Sequence, residues 1–207
     1  MTDCTSPRPR RQSPQATRRR LVAAAADCFN ADGLFAVDAR RIARTAGYSN
    51  GAFYKHFRDK REALIAAYDE SIAIEWEVVA SVLISGGDEA EIAERVVDVG
   101  IGLHKRWRGL RSAMVALVAI DDTAKRAYRA IQKRQLETMK QMRQERGLES
   151  NNTSEADAIF LLTLERGYDA LADGEVEELG MSRSVFRDHL CSALLNMVRS
   201  GRSGSDH

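Results

Sequence analysis

The chain has 207 residues, 44% of them hydrophobic and 29% charged, with 31 Lys and Arg against 30 Asp and Glu. A chain of this length buries roughly 70% of the surface that it exposes when unfolded, so it folds without a metal or a disulfide. It contains no run of about 18 apolar residues and no N-terminal segment of the signal-peptide type. We therefore expect one or two globular domains in the cytoplasm and no membrane partner.

The cysteines give no sign of a disulfide framework or a metal site. Cys4, Cys28 and Cys191 lie far apart and in no Cys-x-x-Cys spacing. An odd number of scattered cysteines argues against structural zinc and against paired disulfides. We expect reduced thiols, no metal and no cofactor.

Charge is divided along the chain. Residues 1–60 hold 12 Lys and Arg against 5 Asp and Glu, a net charge of +7, whereas the remainder holds 19 against 25, a net charge of −6. A basic N-terminal third indicates that this part meets a polyanion. The alternative is a solvated basic tail, because half of those cations lie in residues 8–20.

Helix signals begin after a short basic arm. Residues 1–12 have no periodic apolar positions and are predicted to be disordered. Ser13 and Pro14 form an N-cap and a first helical position, and Gly33 can end this first helix. All three prolines lie within the first 14 residues, so the rest of the chain can form long helices.

Two short helices follow. One begins at the N-cap Asp38 and ends at Gly47, and the next begins at Ser49 and is predicted to extend through Phe57. Phe53 and Phe57 are spaced to share the buried face of the second. Two short helices joined by a Gly-containing turn match the helix-turn-helix pattern.

Cap residues and glycines predict six further helices, which makes nine in all. Aromatic residues are only 6% of the chain, and no sustained alternation of apolar and polar residues indicates a strand. The sequence therefore predicts an all-α fold. The six helices are predicted at about 59–85, 88–107, 110–120, 122–147, 154–172 and 182–199.

The segment 39–64 carries the most specific motif, ARRIARTAGYSNGAFYKHFRDKREAL. It resembles the TetR family of bacterial transcriptional regulators, whose members have R-x-I-A, then A-G-V-S, then G-x-L/F-Y-x-H-F and K-x-x-L. Roughly ten positions match in order. The resemblance covers about residues 15–65, and the rest is similar only in helix count, length and composition.

The resemblance implies a fold and a function. The fold would be an N-terminal three-helix DNA-binding domain over 13–60, after the arm 1–12, and a six-helix ligand-binding and dimerisation domain over 61–207. The function would be that of a repressor released from a palindromic operator on double-stranded DNA by a small apolar or amphipathic molecule.

Three positions depart from the family pattern. Asp38 stands where Thr or Ser is usual, so we expect it to cap its helix and avoid DNA. Arg41 stands at a position that is commonly acidic, which favours a phosphate contact. Tyr48 replaces the usual Val and is expected to be a larger core or rim residue.

The residue types at the start of the third helix suit base recognition. A helix in the major groove exposes hydrogen-bonding groups at its N-terminal end, so Asn50 and Ala52 are the candidates for base contact. Gly51 allows close approach, and Ser49 can donate to a phosphate. The resemblance assigns backbone contacts to further residues, and the full predicted DNA-binding set is Arg40, Arg41, Ser49, Asn50, Gly51, Ala52, Tyr54, Lys55, His56 and Lys60.

Each of these assignments has a structural alternative. His56 and Tyr54 can equally pack within the small domain, and Arg40 can be a solvated helix charge. The arginines of the basic region can enter the minor groove or act as nonspecific charge. They are Arg8, Arg10, Arg11, Arg18, Arg19 and Arg20.

For the remainder, the resemblance implies a ligand pocket and a dimer. Candidate pocket residues are Trp76, His104, Trp107, Met114, Tyr128, Phe160, Glu165 and Tyr168, with Met139 and Arg166 as further candidates. The alternative for each apolar one is plain core. Helices at about 155–173 and 183–199 are apolar over a wide surface, which suits a homodimer interface or, alternatively, a central place in the monomer.

Two rival functions were considered. A helical enzyme lacks support, because there is no G-x-S-x-G, H-E-x-x-H or P-loop and the four histidines have no ligand spacing. We therefore predict no catalytic residues. A DNA-binding adaptor that oligomerises without a ligand is the other rival.

Overall fold

A computed structural model describes residues 13–145 and 154–200, and within these ranges the chain is helical and contains no strand. The all-α prediction is confirmed. Ten helices occur in the described ranges: α1 (Pro14–Ala36), α2 (Ala39–Thr45), α3 (Asn50–Tyr54), α4 (Lys60–Ile84), α5 (Glu89–Arg106), α6 (Arg108–Ile120), α7 (Asp122–Gln144), α8 (Ser154–Asp173), α9 (Glu175–Glu178) and α10 (Arg183–Ser200). The arm 1–12 and the predicted helix end at Gly147 lie outside the described residues.

The N-caps follow the sequence signals. The side chain of Ser13 accepts a hydrogen bond from Ala16 N at 3.2 Å, and that of Asp38 accepts one from Arg41 N at 2.7 Å. Asp88 and Glu91 form the expected reciprocal capping box at the start of α5. Local side chain to backbone bonds of this kind need no tertiary partner, which is why the sequence predicts them well.

Several helix limits differ from the prediction. The helix α9, between Gly174 and Gly180, was missed because its four residues are too few to show a period. The helix α3 ends at Tyr54 instead of Phe57, and the cap of α7 is Asp121 instead of Asp122.

The capping-box interpretation at the start of α4 holds only in part. Asp59 accepts hydrogen bonds from Arg61 N and Glu62 N, at 2.8 and 3.0 Å. The Glu62 carboxylate instead accepts from Arg58 N at 2.8 Å. At the earlier predicted stop, Gly33 has φ 72° and interrupts α1, but helical structure resumes and α1 continues to Ala36.

Two apolar cores hold the helices together. The first core is formed by α1, α2, α3, α4, α6 and α7, and the second is formed by α5, α8, α9 and α10. Phe29, Phe53, Leu64 and Leu110 are fully buried in the first core. The helix-turn-helix therefore packs on the start of α4 and, through α1, on α6.

Asn30 fixes α1 to the junction of α5 and α6. Its Nδ2 donates to the Arg106 carbonyl at 2.9 Å, and its Oδ1 accepts from Leu110 N at 3.1 Å. Gly109 lies at the same place, where a Cβ would be 2.0 Å from the Asn30 carbonyl oxygen. The close approach of α1 and α6 thus depends on a residue without a side chain.

Candidate nucleic-acid interface and ligand cavity

The helix-turn-helix is formed by α2, a tight turn and α3. Gly47 in the turn has φ 78°, a conformation that glycine adopts without strain, and Tyr48 N donates to the Ala43 carbonyl at 2.8 Å. Ser49 then caps α3 by accepting a hydrogen bond from Ala52 N at 3.2 Å. The hydroxyl proton of Ser49 stays available for a phosphate oxygen.

One side of α3 is buried, as the phenylalanine spacing predicted. Phe53 and Phe57 are 0% and 2% exposed, with ring centroids 5.5 Å apart. The guanidinium of Arg18 lies 5.1 Å from the centre of the Phe57 ring. Arg18, Arg19 and Arg20 lie within α1, so the basic region of the sequence is not one continuous arm.

The opposite side of this unit faces solvent. Arg40, Ser49, Asn50, Gly51, Tyr54 and Lys55 are exposed, and Arg41, Ala52 and His56 are half-buried. The Tyr54 side chain is 55% exposed and its ring meets Phe53 edge-on, with centroids 5.4 Å apart. The candidate base-contacting residues Asn50 and Ala52 at the start of α3 are thus accessible to a partner, as are most of the candidate phosphate-contacting residues.

Two predicted phosphate contacts already have partners within the chain. The Lys60 ammonium donates to the carbonyl oxygens of Leu34 at 2.8 Å and Val37 at 2.7 Å. Arg41 forms an ion pair with Asp32. These bonds give both side chains a structural role, and a Lys60 ammonium with two donors engaged keeps one for a phosphate.

A cavity of 230 Å³ lies among α4, α5, α7, α8 and α10. Most of its wall is aliphatic or aromatic, including Val79, Leu83, Ile92, Val96, Leu161 and Met197. A small number of polar groups interrupts this wall. Apolar cavities with few polar groups are typical small-molecule sites.

Five predicted pocket residues line this cavity, namely Trp76, His104, Phe160, Glu165 and Tyr168, together with Met139. Trp107, Met114 and Tyr128 were also predicted to be pocket residues, but they do not line this cavity. That part of the prediction is corrected. Met114 is fully buried in the first core, where Trp107 also packs, and Tyr128 packs against that core with its ring centroid 5.7 Å from that of Tyr68. Arg166 pairs with Glu175 at the surface and is absent from the lining residues.

The sequence reasoning missed four polar residues of the wall, Glu75, Glu89, Gln135 and Arg143. Glu75 and Arg143 are buried charges, at 9% and 8% exposure, on helices that also carry many exposed charges. Gln135 lies in the predicted apolar stripe of α7. A polar residue in such a stripe is unusual, and this is the sequence feature that could have indicated a polar group in the cavity wall.

The polar wall groups are connected to buried partners. Glu75 Oε2 accepts from Arg111 Nη2 at 2.5 Å, and Glu165 Oε1 accepts from Gln135 Nε2 at 2.9 Å. Burial raises the pKa of Glu165, although the nearby Arg111 guanidinium and the Gln135 hydrogen bond oppose that shift. Arg143 makes a bidentate pair with Asp157.

His104 is oriented by two neighbours. Its Nδ1 lies 2.6 Å from Asp169 Oδ1, and its ring meets the Tyr168 ring edge-on, with centroids 5.3 Å apart. Burial acts to raise the pKa of Asp169, but the hydrogen bond with His104 and the attraction of neighbouring groups, Arg111 and Arg166 among them, together outweigh it and the pKa is lowered. Burial raises the pKa of Tyr168, so its hydroxyl is a neutral hydrogen-bonding group.

A second surface of interest is apolar and open. Ile159 and Leu162 on α8 are 67% and 53% exposed, and Val185 on α10 is 68% exposed. Ile159 and Leu162 line a shallow depression over α8, α9 and α10 together with Leu179, Met181 and Phe186, the residue that follows Val185. Exposed apolar residues gathered in one patch indicate a protein contact.

The described part of the chain has neither a metal-binding cluster nor a membrane-spanning helix. Within residues 13–145 and 154–200, no group of three or more His, Cys, Asp or Glu side chains is arranged to hold a metal ion. In the same ranges no helix is both long enough and apolar enough to cross a membrane.

Solved structures share the fold over most of the chain. FadR of Bacillus halodurans, a fatty acid degradation regulator, is 16% identical with a TM-score of 0.62, over 96% of this chain and 100% of that one. A TetR-family regulator of Syntrophomonas wolfei is 12% identical with a TM-score of 0.65, over 90% and 97%. SmeT in complex with triclosan is 22% identical with a TM-score of 0.56, over 86% and 91%.

An exposed helix-turn-helix on a helical body with an apolar cavity defines a DNA-binding regulator. Residues 21–67 match the family model of the bacterial regulatory proteins, tetR family. The segment that holds the helix-turn-helix is therefore similar to the TetR family of transcriptional regulators, as its motif indicated. Because these proteins are regulators, the prediction that the chain is not an enzyme is confirmed.

Proposed function

We propose that the protein is a cytoplasmic homodimeric repressor that binds an inverted-repeat operator and is released from it by a small, largely apolar molecule. The observation that carries this proposal is the course of α4. It begins at Lys60, directly after the recognition unit, and places Glu75 and Trp76 in the wall of the cavity. One rigid helix thus joins the two sites.

A ligand acts through this helix only if it prefers one conformation of the protein. From Lys60 to Trp76 the helix rises roughly 24 Å, so a small tilt at the cavity is a larger displacement at α3. The second connection is the junction of α1 and α6 at Asn30. A ligand lowers operator affinity if it binds more tightly to the conformation whose recognition helices are wrongly spaced for DNA. The size of the effect is set by the difference between its affinities for that conformation and for the DNA-binding one.

Two further observations support the dimer and the ligand. The apolar patch of Ile159, Leu162 and Val185 lies on the helices that the family resemblance assigns to the interface. SmeT, which has the same fold, is described in complex with triclosan, a small molecule. In a C2 dimer each patch would contact its copy, and the two recognition helices would meet successive major grooves.

Selection from random duplexes tests the DNA-binding part. We expect an inverted repeat with half-site centres roughly 34–36 Å apart, or somewhat more. Asn50→Ala should relax the preference at one position by about 1–3 kcal/mol, whereas Lys55→Ala should weaken all sites alike. A selection without a palindrome, together with a monomer in light scattering, would contradict the proposal.

Gel shifts test the ligand-responsive part. Compounds that raise the melting temperature are first identified, since a ligand that binds the native state stabilises it by mass action. We expect some of these compounds to release the operator. If every stabilising compound leaves operator binding unchanged, the ligand-independent adaptor is the correct description.

A further inference from the structure

We propose that the effector is an organic cation, an apolar body that carries a protonated amine, held by the carboxylates of Glu75 and Glu165. This inference rests on the proposed function and specifies the chemistry of its cavity. It rests on two properties of the cavity wall, a buried carboxylate oxygen that has no hydrogen-bond donor and an excess of negative charge.

The first observation concerns one oxygen of Glu75. The residue is 9% exposed, lines the cavity and pairs through Oε2 with Arg111. Its Oε1 is buried and has no hydrogen-bond partner among the described residues. A buried carboxylate oxygen without a donor is costly, so this atom calls for an N–H or O–H group from a ligand.

The second observation concerns Glu165. Its carboxylate lines the cavity and accepts a hydrogen bond from Gln135, whose amide is neutral and supplies no positive charge. Arg111 lies near both carboxylates, and its contact ion pair is with Glu75. Two carboxylates thus share one guanidinium, which leaves an excess of negative charge in an apolar cavity.

The other charged groups around the cavity do not reverse this balance. The charge of Arg143 is neutralised by its bidentate pair with Asp157, which leaves one buried donor, Nε, without a hydrogen-bond partner among the described residues. His104 is hydrogen-bonded to Asp169. A carboxylate ligand would meet net repulsion here, whereas an ammonium group supplies both the missing charge and the missing donor.

The apolar part of the ligand has its own place. Trp76, Val79, Leu83, Phe160 and Met197 form an aliphatic and aromatic wall in the same cavity. Burial of a hydrocarbon body against these side chains supplies binding free energy without specificity for charge. The carboxylates then decide which head group is accepted.

The test compares four compounds with one apolar body, namely 4-phenylbutylamine, its N,N,N-trimethyl analogue, 4-phenylbutan-1-ol and 4-phenylbutyrate. Binding is followed by calorimetry at neutral pH on the full chain. It is followed in parallel by Trp76 fluorescence in a Trp107→Phe background, which makes Trp76 the only tryptophan. The buried Trp107 Nε1 has no hydrogen-bond partner among the described residues, so this replacement breaks no hydrogen bond of the indole there.

We expect the amine to bind at least about tenfold more tightly than the alcohol, because a hydrogen bond to a charged group is worth about 1.5–3 kcal/mol. The trimethyl analogue should bind less tightly than the amine, since it has charge but no N–H for Glu75. The carboxylate should bind most weakly.

Variants identify the carboxylates. Glu165→Gln should bring the amine close to the alcohol in affinity while the alcohol's affinity stays within about threefold. Glu75→Gln should have the same effect, but it leaves Arg111 buried without its charge partner. If the Glu75→Gln protein does not fold, the result for Glu165→Gln decides the test. Glu70→Gln, an exposed position on α4, is the matched control and should keep the preference for the amine.

Three results would overturn the assignment: equal or tighter binding of the alcohol, tighter binding of the carboxylate, which would point to Arg143, or no binding of any of the four compounds. Operator binding without ligand is measured separately by gel shift. A protein that recognises its palindrome and rejects the amine therefore refutes the ligand chemistry and leaves the regulator intact.

Discussion

The ammonium nitrogen of Lys60 lies 2.7 Å from the carbonyl oxygen of Val37 and donates a hydrogen bond to it. A second bond joins the same ammonium to the Leu34 carbonyl at 2.8 Å. Both carbonyls belong to the segment where α1 ends, which leaves backbone acceptors without helical partners. The first residue of α4 thus satisfies the end of α1 and closes the DNA-binding unit around α2 and α3.

We expect Lys60→Met to lower the free energy of unfolding by about 1.5–3 kcal/mol, the range for hydrogen bonds to a charged group. Lys55→Ala is the matched control, because Lys55 is exposed on the same unit. It should leave the melting temperature unchanged and reduce the salt dependence of DNA binding by about one unit of slope. Thermal unfolding and binding at several salt concentrations measure both effects.

The result also separates two roles of Lys60. If Lys60→Met kept the melting temperature and reduced the salt slope as much as Lys55→Ala, its ammonium would serve DNA phosphates, as the family resemblance implies. Loss of stability with the salt slope retained would instead assign it to the α1 terminus.

Gly109 permits the junction of the DNA-binding half with the rest of the body. Its missing Cβ would be 2.0 Å from the Asn30 carbonyl oxygen, a backbone atom that cannot rotate away. We expect Gly109→Ala to destabilise the protein by about 1–3 kcal/mol, as overpacked sites do. It should also weaken coupling between ligand and operator, measured as the ratio of operator affinities with and without the releasing compound.

Gly102 is the control for this substitution. It is exposed in α5, and nothing lies within 4 Å of the place that a Cβ would take. Gly102→Ala should therefore stabilise the helix by roughly 0.5–1 kcal/mol. Equal effects of the two substitutions would show that the close approach of α1 and α6 is not maintained in solution.

The exposed patch on α8 and α10 can be tested by a charge. Leu162→Glu should raise the dimer dissociation constant by at least about 100-fold, since an unpaired buried carboxylate costs several kcal/mol at an interface. Val115, 61% exposed on α6, is an apolar position outside the patch, and Val115→Glu should leave the dimer intact. Sedimentation at several concentrations measures both constants. A Leu162→Glu protein that dimerises normally would place the interface elsewhere.

The sequence predicts the local features of this molecule better than its cavity. Ser13, Asp38 and Asp88 cap their helices through bonds to backbone N–H groups three residues away, so their role is visible in a short window. Cavity membership is different. Met114 and Met139 are both buried methionines on helices, yet only Met139 faces the cavity.

The reason is that helix packing decides what a buried side chain faces. The pairing of Glu75 with Arg111 joins residues 36 positions apart on α4 and α6, and no local pattern contains it. Trp107 is an aromatic residue of the type that often lines ligand sites, but it packs in the first core. The candidate DNA-binding residues were easier to propose because their motif is contiguous in the chain.

Glu165 should make the free protein more stable when it loses its charge. Burial raises its pKa in the folded state above the unfolded value, so its stabilising contribution is present below the unfolded pKa and is lost as pH rises through the folded one. Glu165→Gln should therefore raise the melting temperature by a few degrees at neutral pH, and the difference should shrink in acid below the ordinary glutamate pKa of about 4.3. Glu70→Gln, at an exposed site on α4, should show no such pH dependence. With 4-phenylbutylamine present the order should reverse, because only the charged carboxylate holds the ammonium group; a variant that stays the more stable protein at saturating amine would contradict this role of Glu165.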